Sequence, residues 1–275
     1  MEKVSLEAIR EWVRLLKGVD KVNFAILGMK DMMALVDIPI GISFLQAAVH
    51  HWNPIRHTFV FGSQELCPTV EEFRVISGIE ISDIPILPRS RFGYLGELKK
   101  LCGGSERQNG ALIHGSTLDV MGLFRRFKDC AYPDDVTSIG PRRNALCMCV
   151  FAGFLLASRV DFAPVGLIDV VSQFLDRQDP IPMILAETIG GLDRIRDGDS
   201  AIFGGSPLLL QVKFSDSFFF SFFFFSFYSF FYYYYFFFFR YGSENICRLW
   251  LFPWRGIGHV TSLRDRKSTR LNSSH

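Results

Sequence analysis

Residues 144–158 read NALCMCVFAGFLLAS, and this stretch decides the fold class. It carries no charge, and only Asn144 and Ser158 are overtly polar. A bilayer span needs about 20 apolar residues, so 15 are too few. There is no period-two alternation to suggest a half-buried strand. Apolar residues all round a helix of this length describe the central, fully enclosed helix of a globular domain.

Outward from this helix the pattern is mainly helical. Leu6, Ile9, Val13 and Leu16 recur at three- and four-residue steps, with Ser5 as a candidate cap. Asp20 is placed to cap a helix carrying Phe24, Leu27, Met32 and Leu35, which Gly28 can divide. Ser43 opens a helix with Leu45, Ala48, Val49 and Trp52. His57-Thr-Phe-Val-Phe61 alternates and stops at Gly62, as a hairpin arm does. Thr69-Val-Glu-Glu72 has capping-box spacing, and Gly78 suits the far end of that helix. Thr117 is read as the start of another, and residues 166–177 and 182–194 are amphipathic. The expectation is a mainly α, irregular helical domain of about seven to nine helices with one small β-hairpin near 57–66. The Gly- and Pro-containing stretch 85–110 is the candidate join between two helical halves.

The chain has 275 residues, 30 Lys and Arg against 28 Asp and Glu, and 15% aromatic residues. Hydrophobic residues at 49% exclude wholesale disorder, and the near-neutral balance excludes a strongly basic nucleic-acid coat. The aromatic excess is local: Phe218–Phe239 consists of 14 Phe, 5 Tyr and 3 Ser. Its length would span a bilayer, yet it lacks the aliphatic residues of natural spans and places Tyr at mid-depth. Phe, Ser and Tyr share pyrimidine-rich codons, and Gln211-Val212-Lys213 can be encoded CAG-GTA-AAG, like an exon end entering an intron. Residues 265–275 resemble a translated cloning adapter. The expectation is a native domain over 1–211, truncated at its C-terminal side, and a non-native tail over 212–275 that includes a retained intron. A genuine membrane span at 218–239 is the alternative. Residues 213–275 hold eight of the basic and three of the acidic residues, so 1–212 carry 22 against 25.

Several segments together resemble a known family. They are Phe44-Leu45 through His50-His51-Trp52-Asn53-Pro54, then His57-Thr58-Phe59-Val60-Phe61-Gly62, then Pro68-Thr69-Val70-Glu71-Glu72-Phe73. Pro182-Met183-Ile184-Leu185-Ala186-Glu187-Thr188, Leu192, Ile202-Phe203-Gly204-Gly205 and Leu208-Leu209-Leu210 follow. In this order they resemble the plant mobile domain family, whose members often carry the label "aminotransferase-like", over about residues 5–211. The motif residues are Trp52, Pro54, Phe59, Phe61, Pro68, Thr69, Glu72 and Glu187. The resemblance implies a transposon-derived domain with, in some members, nuclear roles in genome maintenance, and it brings no catalytic residues. Pyridoxal-phosphate chemistry needs a Schiff-base Lys and a phosphate cradle, and no such motif is present.

The densest basic group is Arg125, Arg126 and Lys128 with Arg142 and Arg143, a candidate contact for phosphates or nucleic acid, or else a solvated helix face. His50, His51 and His57 lack a zinc-like ligand spacing, and Cys147-x-Cys149 does not share a helix face. Asp119, Asp161 and Glu187 are the acids from which two-metal nuclease chemistry could be assembled. No catalytic, cofactor or metal residues are assigned, and no small-molecule cofactor is expected. The reading is a non-enzymatic nuclear interaction module, with protein or nucleic acid as partner. The alternatives are an accessory nuclease or transposase-type enzyme of a mobile element, or a truncated product without independent function. With charged residues interrupting the first eleven positions and scattered cysteines, the expected location is nuclear or cytoplasmic rather than secreted.

Overall fold

The computed structural model describes residues 2–222 apart from 80–81, 88, 90–92, 129–138, 157–160 and 201. The chain divides into two compact units, Met1–Asp216 and Ser217–His275. The first is mainly helical. Its elements run α1 (Glu2–Arg14), α2 (Gly18–Ile26), α3 (Lys30–Leu35), α4 (Ile42–His50), β1 (Trp52–Asn53), β2 (Thr58–Phe61), β3 (Gln64–Leu66), α5 (Val70–Ser77), α6 (Tyr94–Cys102) and α7 (Glu106–Gly110). There follow β4 (Ile113–His114), β5 (Thr117–Asp119), α8 (Val120–Lys128), α9 (Ile139–Val150), β6 (Phe162–Pro164), α10 (Leu167–Leu175), α11 (Ile181–Arg196) and α12 (Pro207–Phe222). Of the second unit, residues 217–222 continue α12 and the rest lies outside the described residues.

The apolar stretch is the centre. Every residue from Asn144 to Leu155 is buried, and α9 packs against α1, α2, α6, α8 and α10. After Val150 the helix widens into a π turn over Phe151–Leu155, closed by the Leu156 N–H donating to the Phe151 carbonyl. Such a turn misaligns the hydrogen-bond ladder. The Phe154 carbonyl there accepts from the Ser206 hydroxyl at 2.8 Å, and Ser206 Oγ accepts from Leu209 N at the start of α12. The Ser206 N–H donates in turn to Thr188 of α11. One serine therefore joins the central helix to the last two. Gly205 makes this possible: its φ is +96°, and a Cβ there would run into the Thr188 backbone.

Two small antiparallel sheets decorate the helices, with orders β1-β2-β3 and β4-β5-β6. In the first, Trp52 faces Phe59 and Phe59 faces Leu66. The Asn53 side chain accepts from the N–H groups of Ile55 and Arg56, making the turn that leads past Pro54 into β2. The expected hairpin near 57–66 is thus β2-β3 with one added strand. The capping box at Thr69 and Glu72 is formed, and Gly78 ends α5 with φ +64°.

Several local expectations are corrected. Helix α1 begins before Ser5, so Ser5 is not its cap. Asp20 lies buried in the first turn of α2, whose cap position is Lys17. Thr117 lies in β5, its hydroxyl donating to the His114 carbonyl, and Asp119 instead caps α8 by accepting from Gly122 N. There are twelve α-helices among the described residues, more than the seven to nine expected, because short pieces such as α3 and α7 give too little periodicity to be read.

The stretch 85–110 does not separate two halves. It contains α6 and α7, and Leu98 on α6 is fully buried against α9 and α10 in one continuous core reaching from Ile9 to Leu209. Nor does the packing stop at Gln211. The Gln211 amide accepts from Gly41 N at 2.7 Å and donates to the Pro39 carbonyl. Two residues on, Lys213 and Phe214 are both buried. The adapter-like end 265–275 and all of the Phe/Tyr tract beyond Phe222 lie outside the described residues.

Candidate functional site

The motif residues other than Glu187 gather where the first sheet and the start of α5 meet α11 and α12. Trp52 and Phe59 are buried with ring centroids 4.7 Å apart. Phe214 of α12 stands edge-on to Phe59 at 4.5 Å and also meets Phe44 and Phe61. The polar atoms on this cluster are paired. The Trp52 indole N–H donates to Asp193 Oδ1 at 2.8 Å, and His57 Nδ1 lies 3.3 Å from Asp193 Oδ2. Glu72 forms an ion pair with the buried Lys213 while its other carboxylate oxygen completes the capping box. Pro68 is buried and Pro54 half-buried beside them. Glu187 is separate: it is exposed on α11 and lies 3.6 Å from Arg194. The junction is a closed structural joint, with aromatic rings filling it and each buried polar group held by a partner. Asp193, Lys213 and Phe214 are its members that the sequence motif did not include. They come from α11 and α12, distant in sequence from the hairpin.

The basic group is drawn largely into the fold. Arg142 is buried, its guanidinium 5.8 Å from the Trp12 ring, which corrects its reading as a phosphate contact. Arg126 donates to Asn109 Oδ1 at 2.7 Å and to the Gly103 carbonyl at 3.3 Å, fastening α8 to the α6–α7 turn. Arg143 donates to Asn144 Oδ1, whose amide donates on to the Leu101 carbonyl. Lys128 pairs with Glu11 at 3.3 Å and lies over the Phe124 ring. Arg125 is the one exposed member of the five. The short aliphatic stems and planar forks that make Arg suit phosphate also suit backbone carbonyls and ring faces.

The remaining candidates have ordinary roles. Cys102, Cys147 and Cys149 are buried, and burial pushes the first two thiols up to about 12 and the third higher still. Cys147 lies 3.7 Å from the Met29 sulfur. These thiols are protonated and unreactive at neutral pH. His51 faces the Val60 carbonyl and stacks near Phe61. Among the described residues no three of His, Cys, Asp and Glu come together as a metal site. No helix of those residues is long and apolar enough to cross a membrane.

One surface feature has no internal partner. On α2, Val19, Val22 and Ile26 are 58–59% exposed, and Leu15 just before the helix is 59% exposed. Val19, Val22 and Ile26 follow one another at steps of three and four, which puts them on one side of the helix, while Leu15 belongs to the turn between α1 and α2. The opposite face of α2 supplies Phe24 and Asp20 to the interior. From residue 17 to 30 the charged side chains are Lys17, Asp20, Lys21 and Lys30, and the single acid is the buried one. The line is therefore apolar and its borders are positive. The sequence signal was the second apolar stripe on α2, obscured because the stripe through Phe24 and Leu27 already accounts for a helix.

Comparisons with protein-family models, with curated proteins and with solved structures give no match to this chain.

Proposed function

We propose that the chain is a non-enzymatic interaction module that holds an acidic, amphipathic helix of a partner protein on the Val19–Ile26 face of α2. The observation that carries this is the exposed line Val19, Val22 and Ile26 on α2, with Lys21 exposed on the same helix and Lys30 exposed at the start of α3. A partner helix with apolar residues at matching spacing would cover the line, and its acidic flanks would meet the lysines. A second copy of this chain fits less well, since lysines would meet lysines. Of the five clustered basic residues Arg142 is buried and Arg126, Arg143 and Lys128 have partners within the fold, which favours a protein over a nucleic-acid partner. The resemblance of the hairpin and α11 motifs to the plant mobile domain family makes the nucleus the proposed location and a mobile element the proposed origin. The foreign composition of the end of the chain leaves the residues beyond Phe214, rather than all of 212–275, as a proposed non-native extension.

The test uses the full chain and a labelled helical peptide with Leu at three- and four-residue steps and Glu between them, read by fluorescence anisotropy. The expected result is saturable binding that weakens as salt rises. Val22→Asp should lower affinity by about tenfold or more while leaving the far-ultraviolet circular dichroism unchanged. Duplex DNA, phosphatidylserine vesicles and sedimentation of the chain alone are run in parallel. Binding to DNA or vesicles in place of the peptide, or self-association lost in Val22→Asp, would overturn the proposal.

A further inference from the structure

A cleft of about 540 Å³ opens between strand β6 and the loop from α11 to α12. It is a depression widely open to solvent, with a volume in the range of small-molecule sites. Phe162 and Pro164 line it from the sheet, and Ile202 lines it from the loop. Phe162 and Ile202 are 43% and 37% exposed, large apolar side chains left facing solvent, one from each wall. The polar lining is Thr117, Ser200 and Arg194. Both hydroxyl protons are already committed, Thr117 to the His114 carbonyl and Ser200 to the Ile202 carbonyl, each at 2.9 Å. Among the described residues that line the cleft, that leaves Arg194 as the one strong side-chain donor.

Arg194 is positioned by the fold. Its carbonyl accepts from Asp199 N and Ser200 N, which fixes the loop that forms one wall. Its guanidinium lies across Gly204, where a Cβ would come within 2.8 Å of Nη2. Its ion-pair partner, Glu187, is 3.6 Å away, and both side chains are about half exposed. A pair so long and so wet contributes little and is readily exchanged. A guanidinium presents a planar fork that matches a carboxylate.

We propose that this cleft binds a small monocarboxylate with an apolar body, its carboxylate displacing Glu187 from Arg194 and its body lying between Phe162 and Ile202. One cation matches one negative charge, which favours a carboxylate over a phosphate monoester. Glu187 then acts as an internal competitor for Arg194. This site is independent of the α2 face.

The experiment is calorimetric titration of the full chain with 1-naphthoate, with uncharged 1-naphthylmethanol as the control. Naphthoate should bind and the alcohol should bind at least about tenfold more weakly, the loss expected when a charged hydrogen-bond pair is removed. Arg194→Gln should cost naphthoate a similar factor. Glu187→Gln removes the competitor from an exposed position and should tighten naphthoate binding by about two- to fivefold, leaving the alcohol unchanged. A purely structural role for the Arg194–Glu187 pair would not produce that gain. Equal binding of the two probes, no binding of either at millimolar concentration, or unchanged affinity in Glu187→Gln would overturn the proposal.

Discussion

Arg125, Arg126, Lys128, Arg142 and Arg143 form the densest positive charge in the first 211 residues, while Val19, Val22 and Ile26 carry no motif in the sequence. Folded, the two groups exchange places. Arg142 is inside against Trp12, and Arg126 and Arg143 hold Asn109 and Asn144. The valines and the isoleucine stand in solvent. Residue type alone predicts neither placement. A guanidinium enters an interior when carbonyls, amides and ring faces are waiting for it, and an aliphatic residue stays outside when the other face of its helix already supplies the core.

The contrast can be broken most severely in the interior. Phe214→Ala removes a ring that is 1% exposed and touches three other aromatic residues, and it should cost about 3–5 kcal/mol in urea denaturation. A cost under about 0.5 kcal/mol, the size of a typical surface change, would show that α12 past Gln211 does not belong to the core. Arg142→Ala should cost about 2 kcal/mol by taking away the stem and the cation against Trp12, whereas Arg125→Ala should cost almost nothing. Equal effects at the two arginines would erase the distinction between inward and outward basic residues.

The outer half of the contrast predicts small changes in stability. Val19→Ser with Val22→Ser should alter the unfolding free energy by less than about 0.5 kcal/mol in urea denaturation, because little buried area is lost. A larger loss would mean that the α2 face is covered within the chain. Thiol labelling sharpens the same division with the smallest perturbation. In peptide mapping after brief alkylation near pH 8, Cys67 should be modified ahead of Cys102, Cys147 and Cys149, being exposed where they are buried with raised thiols. Burial of part of its side chain, with Glu72 nearby, pushes the Cys67 thiol up as well, so its labelling should quicken as pH rises. Early labelling of Cys147 would contradict an enclosed α9.

Much of the architecture was legible because it depends on local patterns. Residues 144–155 of the apolar run lie in the central helix and its π turn, Thr69 and Glu72 make their capping box, Gly78 ends α5, and the alternating His57–Phe61 segment supplies a strand arm. The corrections fall where local signals compete. Thr117 can cap a helix or enter a strand, and the pairing of β5 with β4 and β6 decides for the strand. Glycines in 85–110 suggest a linker, yet Leu98 and Leu101 find α9 and the segment becomes part of the core. The candidate sites were less legible still. The Phe162, Arg194 and Ile202 cleft joins residues from separate elements with no shared motif.

By itself the sequence determined a mainly helical domain around one enclosed apolar helix, a capped α5 and a small hairpin, since helix and strand periods, caps and turns are properties of neighbouring residues. It also marked 218–239 as compositionally foreign to the rest. Only the tertiary structure decided that the core is single, that Lys213 and Phe214 close the joint with Glu72 and Phe59, and which arginines turn inward. Those outcomes depend on partners distant in the chain, such as Glu72 for Lys213 and Trp12 for Arg142. Their placement is a matter of which groups can be satisfied together once the helices pack.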